Sequence, residues 1–155
     1  DRAFQLLKSF GIENFHVNGA GDIRVHSTKE APRPWRIALR NPLNPKAGPI
    51  SLIELKNGAI VSSGDYERYF SFDGKKQHHV LDTKTGKPTT EIISTTVIAQ
   101  QTRYADALAT TAMILGANKG VSFLDTHRNV TGFQVDQNGK LYFCKNWNQE
   151  ICEYA

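Results

Sequence analysis

The spacing of apolar residues changes several times along the chain, and each change marks an element. Phe4, Leu7 and Phe10 recur at helical spacing before Gly11, so a short amphipathic helix is expected over 1–10. Short apolar runs at 15–17 and 23–26 read as strands around the glycine-bearing turn 18–22. Residues 35–39 alternate as a half-buried strand does, and the proline-rich stretch 41–49 is a loop. The runs 50–56 and 59–62 flank Asn57 and Gly58, a pair suited to a type I′ turn, and predict a hairpin. A second hairpin is expected from 66–72 and 76–81 around Asp73 and Gly74. Residues 93–99 are rich in β-branched side chains and read as a buried strand. A helix follows over 102–116, then a shorter one from a cap at Asn118 to about 125, then a terminal hairpin of 132–135 and 140–143 and a tail. Hairpins outnumber helices and do not alternate with them. This predicts an α+β fold, an antiparallel sheet with helices packed on one face, in two layers.

The 102–116 helix carries the first chemical signal. Thr102 stands at its N-cap position and Gly116 where a left-handed C-terminal residue is wanted. Apolar residues occur on nearly every side, which predicts a deeply buried helix. Asp106 is the helix's one carboxylate, and Thr110, four residues on, shares its face. Two hard oxygens one turn apart suit Mg²⁺, which takes few protein ligands and keeps positions for phosphates. A purely structural pairing of Asp106 with Thr110 or a backbone amide is the alternative.

The 155 residues suffice for one domain with a real core, and the net charge of +4 is mild. Lys and Arg are spread along the chain, which argues against a nucleic-acid binder and is compatible with an anionic ligand. No run is long enough to span a membrane and no signal-peptide pattern is present. The chain opens on Asp1, directly in a helical pattern, which reads as a piece of something longer or as a start that Asp1 caps. Cys144 and Cys152 are compatible with a small disulfide loop or with two free thiols. Four turns or termini bearing glycines or carboxylates stand out: 18–22, 63–66, 82–86 and 102–110. Glycines let backbone amides approach a phosphate, so a phosphate-containing ligand with a divalent cation is the class these features point to. His78 and His79 lie side by side on a strand, so at most one of them faces any given site.

Four motifs, in order, resemble the ApbE-type FAD:protein FMN transferases. VNGAGDI at 17–23 resembles the family's Val-Asn-x-Gly-Gly-Asp-Ile, and SGDY at 63–66 matches its Ser-Gly-Asp-Tyr. HHVLDTKTG at 78–86 resembles its His-His-Ile-x-Asp-Pro-x-Thr-Gly, and 102–110 resembles its metal-binding helix. The resemblance implies a T-fold-like, ApbE-like domain that moves FMN from FAD to a Ser or Thr of an acceptor flavoprotein, releasing AMP with Mg²⁺. It assigns Asp106 and Thr110 as metal ligands and His79 as the catalytic residue. It places Asn18, Gly21, Asp22, Ser63, Gly64 and Asp65 around FAD. Ala20 departs from the family's first paired glycine, and Thr83 from its proline. Family members are considerably longer. Residues 1–155 are therefore expected to be the C-terminal portion of one domain, completed by an N-terminal half and weak in FAD binding alone. The resemblance further implies a bacterial protein at the periplasm or outer face of the cytoplasmic membrane, touching the membrane only through a lipid anchor. That context would permit a bridge between Cys144 and Cys152. A Mg²⁺-dependent FAD pyrophosphatase and a non-catalytic flavin- or nucleotide-binding module are the alternative functions.

Overall fold

A computed structural model describes residues 1–28, 33–44, 46–66, 68–147 and 151–152. In chain order the elements are α1 (Arg2–Ser9), β1 (Phe15–Gly19), β2 (Asp22–His26), β3 (Trp35–Arg40), β4 (Pro49–Leu55), β5 (Gly58–Gly64), β6 (Tyr69–Phe72) and β7 (Lys75–His78). They continue with β8 (Ile92–Ala99), α2 (Thr102–Leu115), α3 (Ala117–Asp125), β9 (Thr131–Asp136), β10 (Leu141–Phe143) and β11 (Ile151–Cys152).

Six strands form one antiparallel sheet in the order β1-β2-β5-β8-β9-β10. Helices α2 and α3 lie on one face, as the α+β reading expects. There Val61, Val97 and Ala99 of the sheet meet Ala105, Leu108, Ala109 and Ala112 of α2 and Leu124 of α3. The opposite face is covered by a second sheet, β11-β4-β3, which adds a layer. Its Ile37, Leu39 and Ile53 pack on Val25, Ile60, Phe133 and Val135. Covered on both faces, the central strand β8 is buried or half-buried along its whole length, and six of its eight residues are β-branched.

The hairpin expected at Asn57 and Gly58 does not form. β4 pairs with β3 and β11, whereas β5 pairs with β2 and β8, so the chain crosses from one sheet to the other at this point. The Asn57 side chain is used there as a clasp: its amide donates to the Ser27 carbonyl (3.0 Å) and its oxygen accepts from the Ser27 amide (3.2 Å). Gly58, at φ +131°, makes the turn. The apolar sides of β4 and β5 belong to two facing sheets, and a flat hairpin would leave one of them in water. The 144–155 segment, read as a tail, contributes β11, which pairs with Leu52 and Ile53.

The hairpin at Asp73 and Gly74 does form, both residues having positive φ as a type I′ turn requires. β6 and β7 pair with each other and, among the described residues, with no other strand. Phe4 of α1 packs on Phe15 in a tilted pair (5.0 Å between centroids), while Phe10, at the end of the same apolar spacing, is exposed. Among the described residues no helix is long and apolar enough to cross a membrane.

Candidate functional site

Helix α2 spans 102–115 as read, yet it is not buried all round. Ala105, Leu108, Ala109, Ala112 and Met113 face the core, and the small alanines let the helix approach the sheet closely. Asp106 is on the exposed side and Thr110 is half-buried at the boundary. The Asp106 carboxylate, on a helix predicted to be deeply buried, therefore keeps its hydration. Leu115 and Tyr104 are among the apolar residues left exposed.

Two of the sequence motifs converge on this face. The Thr110 and Ser63 hydroxyls lie 2.9 Å apart, tying the end of β5 to the helix. Asp22, at the start of β2, has its carboxyl pushed above the ordinary range by burial and then by the charge of Asp106. The turn before it is held by Asn18, whose side-chain oxygen accepts from the Gly21 amide at 2.9 Å. Ala20 sits at φ +57° in that turn, a left-handed conformation that the glycine it replaces would adopt freely. Gly64 is dictated by packing, since a Cβ there would lie 2.4 Å from the Tyr66 ring.

A second group lies just beyond. Asp65 is buried and forms an ion pair with Lys76 of β7 at 2.9 Å, so its carboxylate fastens the β6–β7 hairpin to the end of β5. Lys76 also lies over the Tyr69 ring, 4.6 Å from its centroid. The two histidines part company: β7 ends at His78, and His79, expected on the same strand, lies in the bend just beyond it. His78 is buried: Nδ1 accepts from the Val80 amide (3.3 Å), which leaves Nε2 to donate to the Thr89 carbonyl (2.8 Å). His79 is exposed, in a cleft of about 440 Å³ with Arg68, Tyr69, Phe70 and Gln77. A larger cleft, about 720 Å³, runs along the hairpin past Asp65, Lys76, Thr89 and Gln137. Asp82 is engaged in its own turn, accepting from the amides of Lys84 (2.7 Å) and Thr85 (3.2 Å).

Asp22, Ser63, Asp106 and Thr110 thus form one group, and Asp65, Lys76 and His78 another, joined through Ser63-Gly64-Asp65, with His79 in the adjoining cleft that His78 also lines. Among the described residues no three His, Cys, Asp or Glu side chains cluster to hold a metal. A closed zinc-type site is therefore not offered there. The donors present are hard oxygens, the kind that a hard divalent cation takes. The set fits Mg²⁺, which needs few protein ligands. Cys144 is a buried free thiol, its pKa raised to about 11 by burial and then by the Asp125 charge. The side chain of Cys152, its candidate partner, lies outside the described residues.

One functional contact carries no local signal in sequence. Asp1 does not cap its own helix. Its carboxylate accepts from the amides of Thr102 (3.1 Å) and Arg103 (3.0 Å), at the start of α2. Thr102, read as the N-cap, is instead the first helical residue, and Gln101 in the cap position supplies no side-chain bond. The partners are a hundred residues apart, so only the fold reveals them.

The fold and this face define an α+β domain that presents hard oxygen donors beside glycine-bearing turns. A profile of the ApbE family matches residues 1–133, and the chain belongs to that family. It is 36% identical over 129 residues to an FAD:protein FMN transferase of Vibrio cholerae, covering 83% of this chain and 39% of the relative. With the Escherichia coli FAD:protein FMN transferase it shares 32% over 120 residues, 77% of this chain and 34% of the relative. Among solved structures, the ApbE protein of Thermotoga maritima superposes with a TM-score of 0.85 at 35% identity, over 95% of this chain and 48% of that one. The Pseudomonas stutzeri flavinyl transferase ApbE in its apo form gives a TM-score of 0.75 at 30% identity, over 94% of this chain and 46% of that one. The chain spans well under half the length of these curated relatives and about half that of the solved ones.

Proposed function

We propose that the protein is an FAD:protein FMN transferase, with this chain supplying the C-terminal portion of its catalytic domain. The observation that carries the reading is the convergence of Asp22, Ser63, Asp106 and Thr110 on one face, in a chain that belongs to the ApbE family. FAD is one substrate, and an acceptor flavoprotein with a Ser or Thr hydroxyl is the other. The hydroxyl oxygen forms a bond to the phosphorus on the flavin side, and the bond from that phosphorus to the bridging oxygen breaks. AMP leaves with the bridging oxygen and its electron pair.

Asp106 and Thr110 would hold Mg²⁺, which supplies charge neutralisation at the diphosphate when bound. Asn18, Gly21 and Asp22 present the β1–β2 turn to the ligand, and Ser63 and Gly64 present the end of β5. Asp65 acts on the same ligand region through Lys76, which it holds. His79, exposed beside this region, takes the proton of the attacking hydroxyl or orients that hydroxyl. The same reading takes the parent as a periplasmic or outer-surface protein whose link to the membrane is a lipid anchor.

The test is incubation of the intact protein with FAD and Mg²⁺, with and without a candidate acceptor domain. Expected is AMP formed in step with flavin bound covalently to the acceptor. Asp106→Ala should lower the rate by at least about a hundredfold, the scale on which loss of phosphoryl-charge stabilisation acts. Free FMN released equally in both tubes would replace the transferase reading with an FAD pyrophosphatase. FAD binding without turnover at any metal concentration would leave a binding module.

A further inference from the structure

The carboxylate of Asp1 joins three elements. It lies on the N-terminal edge of α1, accepts from the first two amides of α2, and pairs with Arg24 of β2. The Arg24 side chain is only 12% exposed and its guanidinium lies 3.9 Å over the Phe4 ring, so the arm that holds Asp1 is itself packed in place. α2 has no side-chain cap of its own, and this distant carboxylate serves instead.

The spacing on either side of the clamp is matched. Arg24 and Asp22 are two residues apart on β2, so they share a face of the strand and are separated by roughly 6.8 Å. Thr102 and Asp106 are four residues apart on α2, a rise of roughly 6 Å. β2 pairs antiparallel with β5, and β5 and α2 run in the same sense, with Ser63 beside Thr110. Travelling from the clamp by these two nearly equal steps brings Asp22 opposite Asp106.

We propose that Asp1 is a positioning residue that sets the register of α2 on β2, and through it the place of Asp106 and Thr110. It touches neither substrate nor metal. The proposal rests on the metal reading given above, and its test separates the two.

The intact protein is titrated with Mn²⁺ alone, as a probe for a Mg²⁺-type oxygen site, and amide hydrogen exchange is followed along α2. Asp1→Ala should weaken Mn²⁺ binding about tenfold to a hundredfold, the range found for residues that orient metal ligands from behind. Exchange should quicken over 102–110. Asp1→Asn, which keeps an acceptor oxygen and loses the charge, should fall between Asp1→Ala and the wild type. Asp136→Asn, destabilised at the far edge of the sheet, should bind Mn²⁺ as the wild type does. If Asp1→Ala does not fold, Arg24→Met removes the strand side of the clamp and should show the same loss. Wild-type affinity in the folded clamp variant overturns the proposal, whatever its exchange. A wild-type protein that takes up no Mn²⁺ defeats the metal reading, and exchange then decides: faster exchange reaching 106–110 in the clamp variant retains the proposal, and unchanged exchange overturns it.

Discussion

Asp136 and Cys144 stand a few residues apart, and burial has opposite outcomes for them. Burial pushes the Asp136 carboxyl up, but the amides of Lys140 and Asn138 and the Tyr142 hydroxyl outweigh it and hold the carboxyl below its ordinary value. A depressed carboxyl stabilises the fold above its unfolded pKa of roughly 4, and that stability is lost as pH falls through the folded value. Asp136→Asn should therefore lower the urea midpoint at pH 7 and have a much smaller effect in strong acid. At Cys144 burial and then the Asp125 charge raise the pKa, and the single backbone hydrogen bond from Gly132 does not offset them. Its pKa of about 11 stands above the ordinary value of 9.0, so the unfolded chain releases the proton first and stability falls as pH rises from 9 towards 11. Cys144→Ala should flatten that alkaline loss, and in the wild type at pH 8 a maleimide should label Cys144 only after denaturant is added. A local reading of sequence reaches the turn of Asp136, because the donors follow within six residues. It does not reach the Asp1 clamp or the Ser63–Thr110 contact. Both were visible as residues and invisible as pairs, because each joins elements brought together only by the sheet.

At the level of the element, the boundaries of α2 were legible to within a residue, and its burial was not. Its composition is apolar on all sides, but only the stripe of Ala105, Leu108, Ala109, Ala112 and Met113 is buried. An alanine helix can face water on its other side at little cost, so hydrophobic content overstates depth here. The inner stripe leaves no room. A Cβ on Gly120 of α3 would lie 2.4 Å from the Ala112 carbonyl and 2.6 Å from the Gln134 amide group. Gln134 is fully buried and donates to that same carbonyl (2.8 Å) and to Thr95 (3.1 Å), so it cannot move without losing partners. Gly120→Ala should destabilise the domain by about 1–3 kcal/mol, despite the better helix propensity of alanine, as overpacking in a close-packed contact does. The check is the midpoint of chemical denaturation at constant slope. The Asn57-Gly58 crossing was misread for a related reason. Local turn preference is the same for a hairpin and for a passage between sheets, and only the partner strands tell them apart.

Across the whole molecule, two sheets and two helices pack through apolar clusters on both faces of the central sheet, and the β6–β7 hairpin stands apart from them. Tyr69, Phe70 and Phe72 are all more than half exposed, and neither strand pairs with the larger sheets among the described residues. The hairpin is fastened near its turn by Asp65 to Lys76 and at its base by His78 to Thr89, next to the exposed His79. Local stability follows buried apolar area and long-range pairing, and this unit has little of either, so it should open independently of the rest. Removing Lys76 alone would leave the buried Asp65 carboxylate unpaired and confuse the result with a general loss of stability. In the paired variant Asp65→Asn with Lys76→Met, both charges go together. Amide exchange should then rise over 69–78 while β5, β8 and β9 keep their protection and the global unfolding midpoint stays nearly fixed. If exchange in the hairpin does not change, the His78 bond and the Leu81–Pro88 bridge suffice to hold it. If the whole sheet loses protection, the hairpin is part of the cooperative core and the separation described here is wrong.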